Sequence, residues 1–174
     1  PVHPTKGELQ LLYPVYYGDI IASEAGRHGL DPFLVQALMR QESYFDERAV
    51  SSSDARGLMQ LLPSTAREVA GWESMRGFDA VQLFDPAVNI RLGTRYLAYL
   101  HKNFNGNAMA AVGGYNGGPG AMGRWISASS YYASDPDMFV ESITYQESRN
   151  YIKHVFGGWW NYNLVYGGGP ELQN

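Results

Sequence analysis

Glu42 is the residue whose position in the sequence first indicates chemistry. It follows Leu34 and Leu38 at intervals of four residues, so its carboxyl group extends an apolar helical stripe. Partial burial at the end of such a stripe raises the pKa of a carboxyl group and keeps it protonated near neutral pH, as a general acid requires. The alternative is an ordinary glutamate at a helix end, in solvent or paired with Arg40 or Arg48.

Three further acidic residues follow within twelve positions, namely Asp46, Glu47 and Asp54. Cleavage of a glycosidic bond usually takes two carboxyl groups, one as general acid and one as nucleophile or base. These neighbours lie in turn-forming sequence rich in Ser, Asp and Gly. The residues alone therefore leave open whether Glu42 works alone, with one of these neighbours, or not at all.

The elements that would position Glu42 are helices. Asp31-Pro32 and Asp85-Pro86 each combine an N-cap with proline at the first helical position. Further helices are predicted over 14–27, over 64–71 after Pro63, from Asn107, from Pro119 to Trp125, and from Tyr145 to about Tyr162. Strand-like alternation is missing, so the sequence predicts an all-α domain, or one with minimal β structure, of roughly six to eight helices.

The same pattern predicts loops at 44–57, 72–84 and 127–136. Gly167 and the residues up to Pro170 should end the last helix, with the final seven residues mobile. One domain is the simplest organisation for a chain of 174 residues without repeats or linkers, with its core at about 14–166.

Three other stretches combine unusual residue types. GLMQLLP is too apolar for an exposed loop, which places Gln60 beneath a cleft, although a surface loop is the simpler alternative. In AVGGYNGGPG, Gly113 and Gly114 interrupt a probable helix, either for close helix contact or to hold Tyr115 and Asn116 over a substrate channel. The Glu- and Arg-rich stretch FVESITYQESRNYIKH is, on its own, typical of a solvated helix face.

Composition excludes several classes of function. The net charge of −4 and the lack of a basic cluster argue against a nucleic-acid partner. No apolar run is long enough for a membrane span, and the absence of cysteine excludes disulfides and thiolate metal sites. The four histidines are scattered without metal-ligand spacing, so no metal or other cofactor is expected.

Taken together, four motifs resemble the catalytic domain of soluble lytic transglycosylases, which is related to goose-type lysozyme. They are, in order, Glu42-Ser43, GLMQ at 57–60, GYNGG at 114–118 and ESITYQESRNY at 141–151. Gly114, Thr144 and Ser148 stand where the family usually has alanine, proline and threonine, and none of these departures removes a reactive group. The resemblance covers roughly residues 30–155 and implies a compact, lysozyme-like domain.

The resemblance implies a reaction as well as a fold. Such enzymes cleave the β-1,4 bond between N-acetylmuramic acid and N-acetylglucosamine in peptidoglycan without water and form 1,6-anhydromuropeptides. One glutamate acts first as acid and then as base, and the 2-acetamido group of the sugar takes the place of a second carboxylate. By this resemblance Glu42 is the catalytic residue.

The resemblance also assigns substrate contacts. Ser51 and Gln60 are expected at the acetamido group, and Tyr115 beside Glu42. The remaining expected substrate contacts are Met59 against the sugar, Asn116 and Glu141 along the channel, and Tyr145.

Two other functions remain open, a hydrolase of goose-lysozyme type and a non-catalytic peptidoglycan-binding module. The expected partner is the glycan strand of peptidoglycan, and the expected location is the periplasm or the cell wall. A further expectation is that residues 1–174 form the C-terminal part of a larger protein with an upstream helical domain.

Overall fold

The computed structural model describes residues 4–167. Within them the chain forms nine α-helices and one 3₁₀ helix. In chain order these are α1 Lys6–Leu12, α2 Gly18–His28, α3 Pro32–Ser43, α4 Pro63–Trp72, the 3₁₀ helix Ala80–Phe84, α5 Pro86–Asn103, α6 Ala108–Gly117, α7 Pro119–Ala128, α8 Pro136–Ser142 and α9 Gln146–Tyr166. Isolated bridges at Val50, Arg56 and Leu61 are the β structure in this part of the chain. The predicted all-α class is confirmed.

The two Asp-Pro helix starts are confirmed. The Asp31 carboxylate accepts a hydrogen bond from the backbone N–H of Phe33 at 2.8 Å, and Asp85 accepts from Ala87 and Val88 at 2.9 and 3.1 Å. Each cap satisfies amide groups that have no partner inside the helix. These caps fix where α3 and α5 begin.

The helix count exceeds the predicted six to eight because α1 and α8, of seven residues each, were not predicted. Both are set by side-chain caps, a capping box between Thr5 and Glu8 for α1 and Asp135 for α8. Two turns of helix are too short to show apolar periodicity, so the sequence signal was weak. The predicted loop at 72–84 likewise contains the 3₁₀ helix.

The centre of the fold is an antiparallel pair of helices, α3 and α9. Ala37 lies against Gly158, where an added Cβ would sit 3.3 Å from the alanine Cβ. One end of the pair is fixed by Phe33 stacked on Tyr162, and the other end brings Glu42 to Tyr151. Close approach at Gly158 thus aligns the acid-bearing end of α3 with the start of α9.

The buried apolar side chains form two clusters. The larger one is built from α2, α3 and α5 to α9, and the smaller one from α4, the 3₁₀ helix and part of α5. Tyr96 and Tyr115 pack against both clusters. The expected mobility of the last seven residues, 168–174, concerns positions outside the described part. Among residues 4–167, no helix combines the length and apolar character that crossing a bilayer requires.

Candidate active site

Glu42 lies in the last turn of α3 and is partly buried. The Tyr151 hydroxyl donates a hydrogen bond to Glu42 Oε1. Burial raises the pKa of Glu42 to about 7, although the Tyr151 hydrogen bond acts in the opposite direction because it favours the charged form. A carboxyl group in this state can both give and take a proton near neutral pH.

Tyr115 is the second tyrosine beside Glu42. Its hydroxyl donates to the backbone carbonyl of Met59 at 2.8 Å, and burial, with the nearby negative charge of Glu42, raises its pKa well above the ordinary value. Gly113 and Gly114 allow this placement, because a Cβ at either residue would collide with Met122, Ile152 or Phe104. Close helix contact therefore explains both glycines, and the same contact holds Tyr115 at the site.

The GLMQ segment at 57–60 is held by a buried asparagine on α5. Asn89 accepts a hydrogen bond from the Met59 N–H at 2.8 Å and donates to the carbonyls of Arg56 and Leu83 at 2.9 and 2.8 Å. Gly57 has φ +72°, and a Cβ there would lie 2.1 Å from the Leu83 oxygen. Only glycine fits both the conformation and the space.

The end of α3 is tied to this segment as well. Ser43 Oγ donates to the Leu58 carbonyl at 2.8 Å. Beyond it, Tyr44 and Phe45 have positive φ values of 51° and 67°, which are uncommon for bulky side chains. The chain thus turns away immediately after Glu42, and the GLMQ segment closes against the helix end.

The acidic neighbours of Glu42 have other partners. Asp46 accepts from the Arg48 N–H at 2.9 Å, Asp54 forms an ion pair with Arg56 at 2.9 Å, and Glu47 accepts from Tyr17 at 3.4 Å. None of them contributes to the pKa of Glu42, which burial raises and only the Tyr151 hydrogen bond lowers. Within residues 4–167, Glu42 therefore acts electrostatically as an isolated carboxyl group.

Ser51 and Gln60, the two residues expected at the acetamido group, brace loops in this structure. Ser51 Oγ accepts from the backbone N–H groups of Ser53 and Ala55 at 3.2 and 3.1 Å. The Gln60 amide donates to the carbonyls of Ala49 and Gly57 at 3.1 and 2.9 Å. Any contact with substrate would use the groups that these bonds leave free, namely the O–H of Ser51 as a donor and Oε1 of Gln60 as an acceptor.

Met59 does not fit its expected contact with a sugar. Its side chain is 0% exposed and lies against Gly93, where an added Cβ would approach the sulfur to 2.5 Å. A thioether enclosed in the core has no surface to offer a ligand. Its carbonyl, which accepts from Tyr115, is the part of Met59 that serves the site.

Asn116 and Tyr145 lie on the side of the site formed by α6 and α9. Asn116 Oδ1 accepts a hydrogen bond from Ser148 Oγ at 2.9 Å, so the start of α9 is fastened to the end of α6. Tyr145 is the N-cap residue of α9 and is 61% exposed, and its ring meets Trp125 edge to face at 5.4 Å. Tyr145 is thus an exposed ring on a buried support.

Glu141 is placed differently from the other expected residues. It is exposed on α8 and forms an ion pair with Lys153 of α9. Lys153 follows Tyr151 by two residues, which corresponds to roughly 200° around the helix. The structure therefore pairs Glu141 with a different face of α9 from the one that carries Tyr151.

Two residues that hold the site were not among the predicted site residues. Tyr151 was visible only as the last position of the ESITYQESRNY motif, and its contact with Glu42 spans 109 residues of sequence. Asn89 is fully buried and lies in an otherwise ordinary helix sequence, which gave no signal. No cluster of His, Cys, Asp and Glu suited to a metal ion occurs among residues 4–167.

Comparison with known families decides the relationship. Residues 19–138 match the family described as the transglycosylase SLT domain. The chain belongs to this family. The match includes Glu42, the GLMQ segment and Tyr115, and it ends before Tyr151.

Curated relatives of this SLT domain are much longer proteins. This chain is 33% identical over 167 residues to the soluble lytic murein transglycosylase of Escherichia coli K12, and the match covers 95% of this chain and 26% of that protein. It is 34% identical over 168 residues to the membrane-bound lytic murein transglycosylase C of Edwardsiella ictaluri, covering 86% and 47%. The chain thus spans about a quarter of the length of the soluble relative.

Solved structures show the same fold. The 70 kDa soluble lytic transglycosylase of Escherichia coli matches with a TM-score of 0.88 and 33% identity, covering 96% of this chain and 27% of that one. An inactive mutant of lytic transglycosylase Slt from Pseudomonas aeruginosa matches with a TM-score of 0.87 and 32% identity, covering 96% and 27%. The lysozyme-like domain expected from the motifs is therefore confirmed.

Proposed function

We propose that this SLT domain cleaves the β-1,4 bond between N-acetylmuramic acid and N-acetylglucosamine in peptidoglycan without consuming water. The observation that carries the proposal is the isolated, partly buried carboxyl of Glu42, whose pKa of about 7 suits it to act as acid and then as base. Family membership supports the same reaction, because the relatives are named lytic murein transglycosylases.

In the first step Glu42 gives its proton to the glycosidic oxygen. The bond from C1 of N-acetylmuramic acid to this oxygen breaks, and the acetamido carbonyl oxygen of the same sugar bonds to C1. The leaving strand departs with the new hydroxyl. An oxazolinium ion and a Glu42 carboxylate remain, and the Tyr151 hydroxyl stabilises that carboxylate.

In the second step the Glu42 carboxylate takes the proton of the 6-hydroxyl group. The 6-oxygen attacks C1, the bond from C1 to the acetamido oxygen breaks, and a 1,6-anhydro ring forms. Glu42 ends protonated, as it began. The family resemblance implies this role of the acetamido group, and it agrees with a Glu42 pKa on which no second carboxylate of the described residues acts.

Substrate contacts complete the proposal. At the acetamido region the Ser51 hydroxyl would donate a hydrogen bond and Gln60 Oε1 would accept one, because their loop hydrogen bonds leave these groups free. Tyr115 and Asn116 would line the channel from α6, and the exposed ring of Tyr145 would stack on a sugar. Glu141 lies on a different side of α9 from Tyr151, so it would contact the glycan away from the bond that is cleaved.

The wider setting is also a proposal. The partner would be the peptidoglycan glycan strand, met in the periplasm or at the cell wall. Because the chain spans about a quarter of the soluble relative, residues 1–174 would act as the catalytic domain of a longer protein with an upstream helical domain.

Mass spectrometry of the products tests the reaction directly. Purified peptidoglycan is incubated with the protein, and the released muropeptides are compared with those from a hydrolytic lysozyme. The proposal expects products lighter by one water that lack a reducing end. Reducing-end products would instead identify a hydrolase on the same fold, and no release at all would favour a binding module.

A further inference from the structure

A small pocket lies between the start of α6, α8 and α9, on the side of α9 that faces away from Tyr151. Its volume is about 270 Å³. The lining residues are Met109, Asp137, Val140, Glu141, Ile152, Lys153 and Phe156. This volume is just below the usual range for ligand sites, so it suits one side chain rather than a sugar chain.

The floor of the pocket is apolar and its rim is charged. Val140 and Ile152 are buried, and Met109 and Phe156 are partly buried. Three exposed charged side chains stand at the rim, two carboxylates from one turn of α8 and one ammonium from α9. An apolar floor below a charged rim accepts an aliphatic chain that ends in a charged group.

The charges at the rim are unequal. Glu141 forms an ion pair with Lys153, and this pairing lowers the pKa of Glu141. Asp137 lies one turn earlier on the same face of α8, and it adds a second negative charge beside the pair. Arg149 also acts on Glu141 and favours its charged form. The unpaired negative charge of the rim is therefore that of Asp137, and a cation entering the pocket would meet Asp137 beside the Glu141–Lys153 pair.

We propose that this pocket binds an amino acid side chain ending in a primary ammonium group, supplied by the peptide stem of peptidoglycan. The alkyl part would lie on the floor formed by Met109, Val140 and Phe156, and the ammonium group would sit between Asp137 and Glu141. The choice of stem peptide rests on the proposed function. The ammonium chemistry rests on the pocket itself.

Lys153 gives the proposal its sharpest consequence. Its own ammonium group forms an ion pair with Glu141, so it would compete with the ligand for that carboxylate. Lys153→Met removes the competitor and keeps an apolar chain of similar length. The variant should therefore bind a cationic ligand more tightly than the original protein.

The test is a titration with Nα-acetyl-lysine methylamide, followed through ¹³C-labelled methionine methyl groups. Met109 reports on the pocket, while Met39, Met59 and Met122, all fully buried, serve as internal controls. The matched probe is the Nε-acetylated compound, which keeps the length but carries no charge. Saturable shifts are expected at Met109 with the charged probe alone.

Variants complete the design. Asp137→Asn should weaken binding of the charged probe about two- to fivefold, the range of an exposed ion pair, and Lys153→Met should strengthen it by a similar factor. Glu68→Gln, an exposed acid on α4, should change nothing. Equal binding of both probes, no shift at Met109, or weaker binding by Lys153→Met would overturn the proposal.

The peptide source and the proposed function are tested by separate measurements. In wild type, muropeptides with a free stem amine should compete with the lysine probe, whereas the same muropeptides after amine acetylation should not. Failure of that competition would overturn the assignment to stem peptides. If the protein forms no anhydromuropeptides, by contrast, the proposed reaction at Glu42 is contradicted. The titration with the lysine probe does not depend on that result.

Discussion

Glu42 and Glu73 are two glutamates with little exposure and opposite electrostatics. Burial raises the pKa of Glu42 to about 7, and its hydrogen-bond donor is the neutral hydroxyl of Tyr151. Burial would also raise the pKa of Glu73, whose side chain is 8% exposed, yet that pKa is lowered because Arg91, Arg27 and His28 favour the charged form.

The comparison shows that burial alone does not set the charge of a carboxyl group. At Glu73 the guanidinium groups of Arg27, Arg91 and Arg95 join the ends of α2 and α4 to α5 through one carboxylate. At Glu42 the helices bring two tyrosines, and no cation among residues 4–167 acts on its pKa, so the proton stays available. The first arrangement stabilises the fold, and the second keeps a group reactive.

The largest expected effect is the loss of activity in Glu42→Gln. The amide keeps the shape and accepts the Tyr151 hydrogen bond, but it has no transferable proton. Release of muropeptides should fall by at least roughly 10²–10⁴-fold, the share of general acid–base catalysis. Asp46→Asn and Asp54→Asn are the matched controls and should lose far less. An equal loss in either one, with the fold intact, would indicate a two-carboxylate hydrolase.

The next effect is on the pH dependence of activity. Glu42 must be protonated in the free enzyme, so kcat/KM should fall about tenfold per pH unit above about 7. Glu42 returns to its protonated state after each turnover, so it adds no rising limb on the acid side. A symmetrical bell with a rising limb that Asp46→Asn or Asp54→Asn removes would contradict the single-carboxylate mechanism.

Stability should respond to the two glutamates with opposite signs. A raised folded-state pKa means that Glu42 costs nothing below its unfolded value of 4.5 and destabilises the fold as pH rises through about 7. Glu42→Gln should thus match wild type at pH 4 and exceed its free energy of unfolding by on the order of 1–3 kcal/mol at pH 8. Urea denaturation at both pH values measures this difference.

Glu73→Gln supplies the opposite case. The lowered pKa of Glu73 means that its contribution is present above 4.5 and is lost as pH falls through the folded-state pKa. The variant should lose about 1–2 kcal/mol at pH 8, a value reduced because the arginines are partly exposed. If the free energy of unfolding at pH 8 changes in the same direction in Glu42→Gln and Glu73→Gln, the contrast between the two glutamates is wrong.

The smallest effect concerns the tyrosine that touches Glu42. Tyr151→Phe removes a hydrogen bond that favours the carboxylate, so the falling limb of the pH profile should move upward by up to about one pH unit. Tyr115→Phe is the matched control, because Tyr115 donates to Met59 and not to Glu42. If the limb moves equally in both variants, the Tyr151 hydrogen bond does not set the pKa.

Sequence alone predicted the parts of the fold that local chemistry decides. At the Asp-Pro starts of α3 and α5, each aspartate caps backbone groups only two or three residues further along the chain. The apolar spacing before Glu42 likewise indicated its partial burial. The short helices α1 and α8 were missed because seven residues show no period. The contact of Tyr151 with Glu42 depends on how α9 packs along α3, which no local pattern specifies.

The expected substrate contacts include residues that serve the fold instead, for a similar reason. A motif such as GLMQ marks residues that belong together, but it does not say which of them face a ligand. Here Gly57 supplies a backbone conformation, Met59 fills the core, and the Gln60 amide braces the loop. Burial separates these roles, and burial follows from tertiary packing.

Asn89 has a consequence for how the molecule opens. The N–H of Met59 is buried and bonded to the Asn89 side chain, which in turn belongs to the 18-residue helix α5. A side chain of α5 thus holds the segment beside the active site, and the Met59 amide proton should exchange with solvent only when the segment separates from α5. In hydrogen-exchange terms, the Met59 amide then reports how often the GLMQ segment separates from α5.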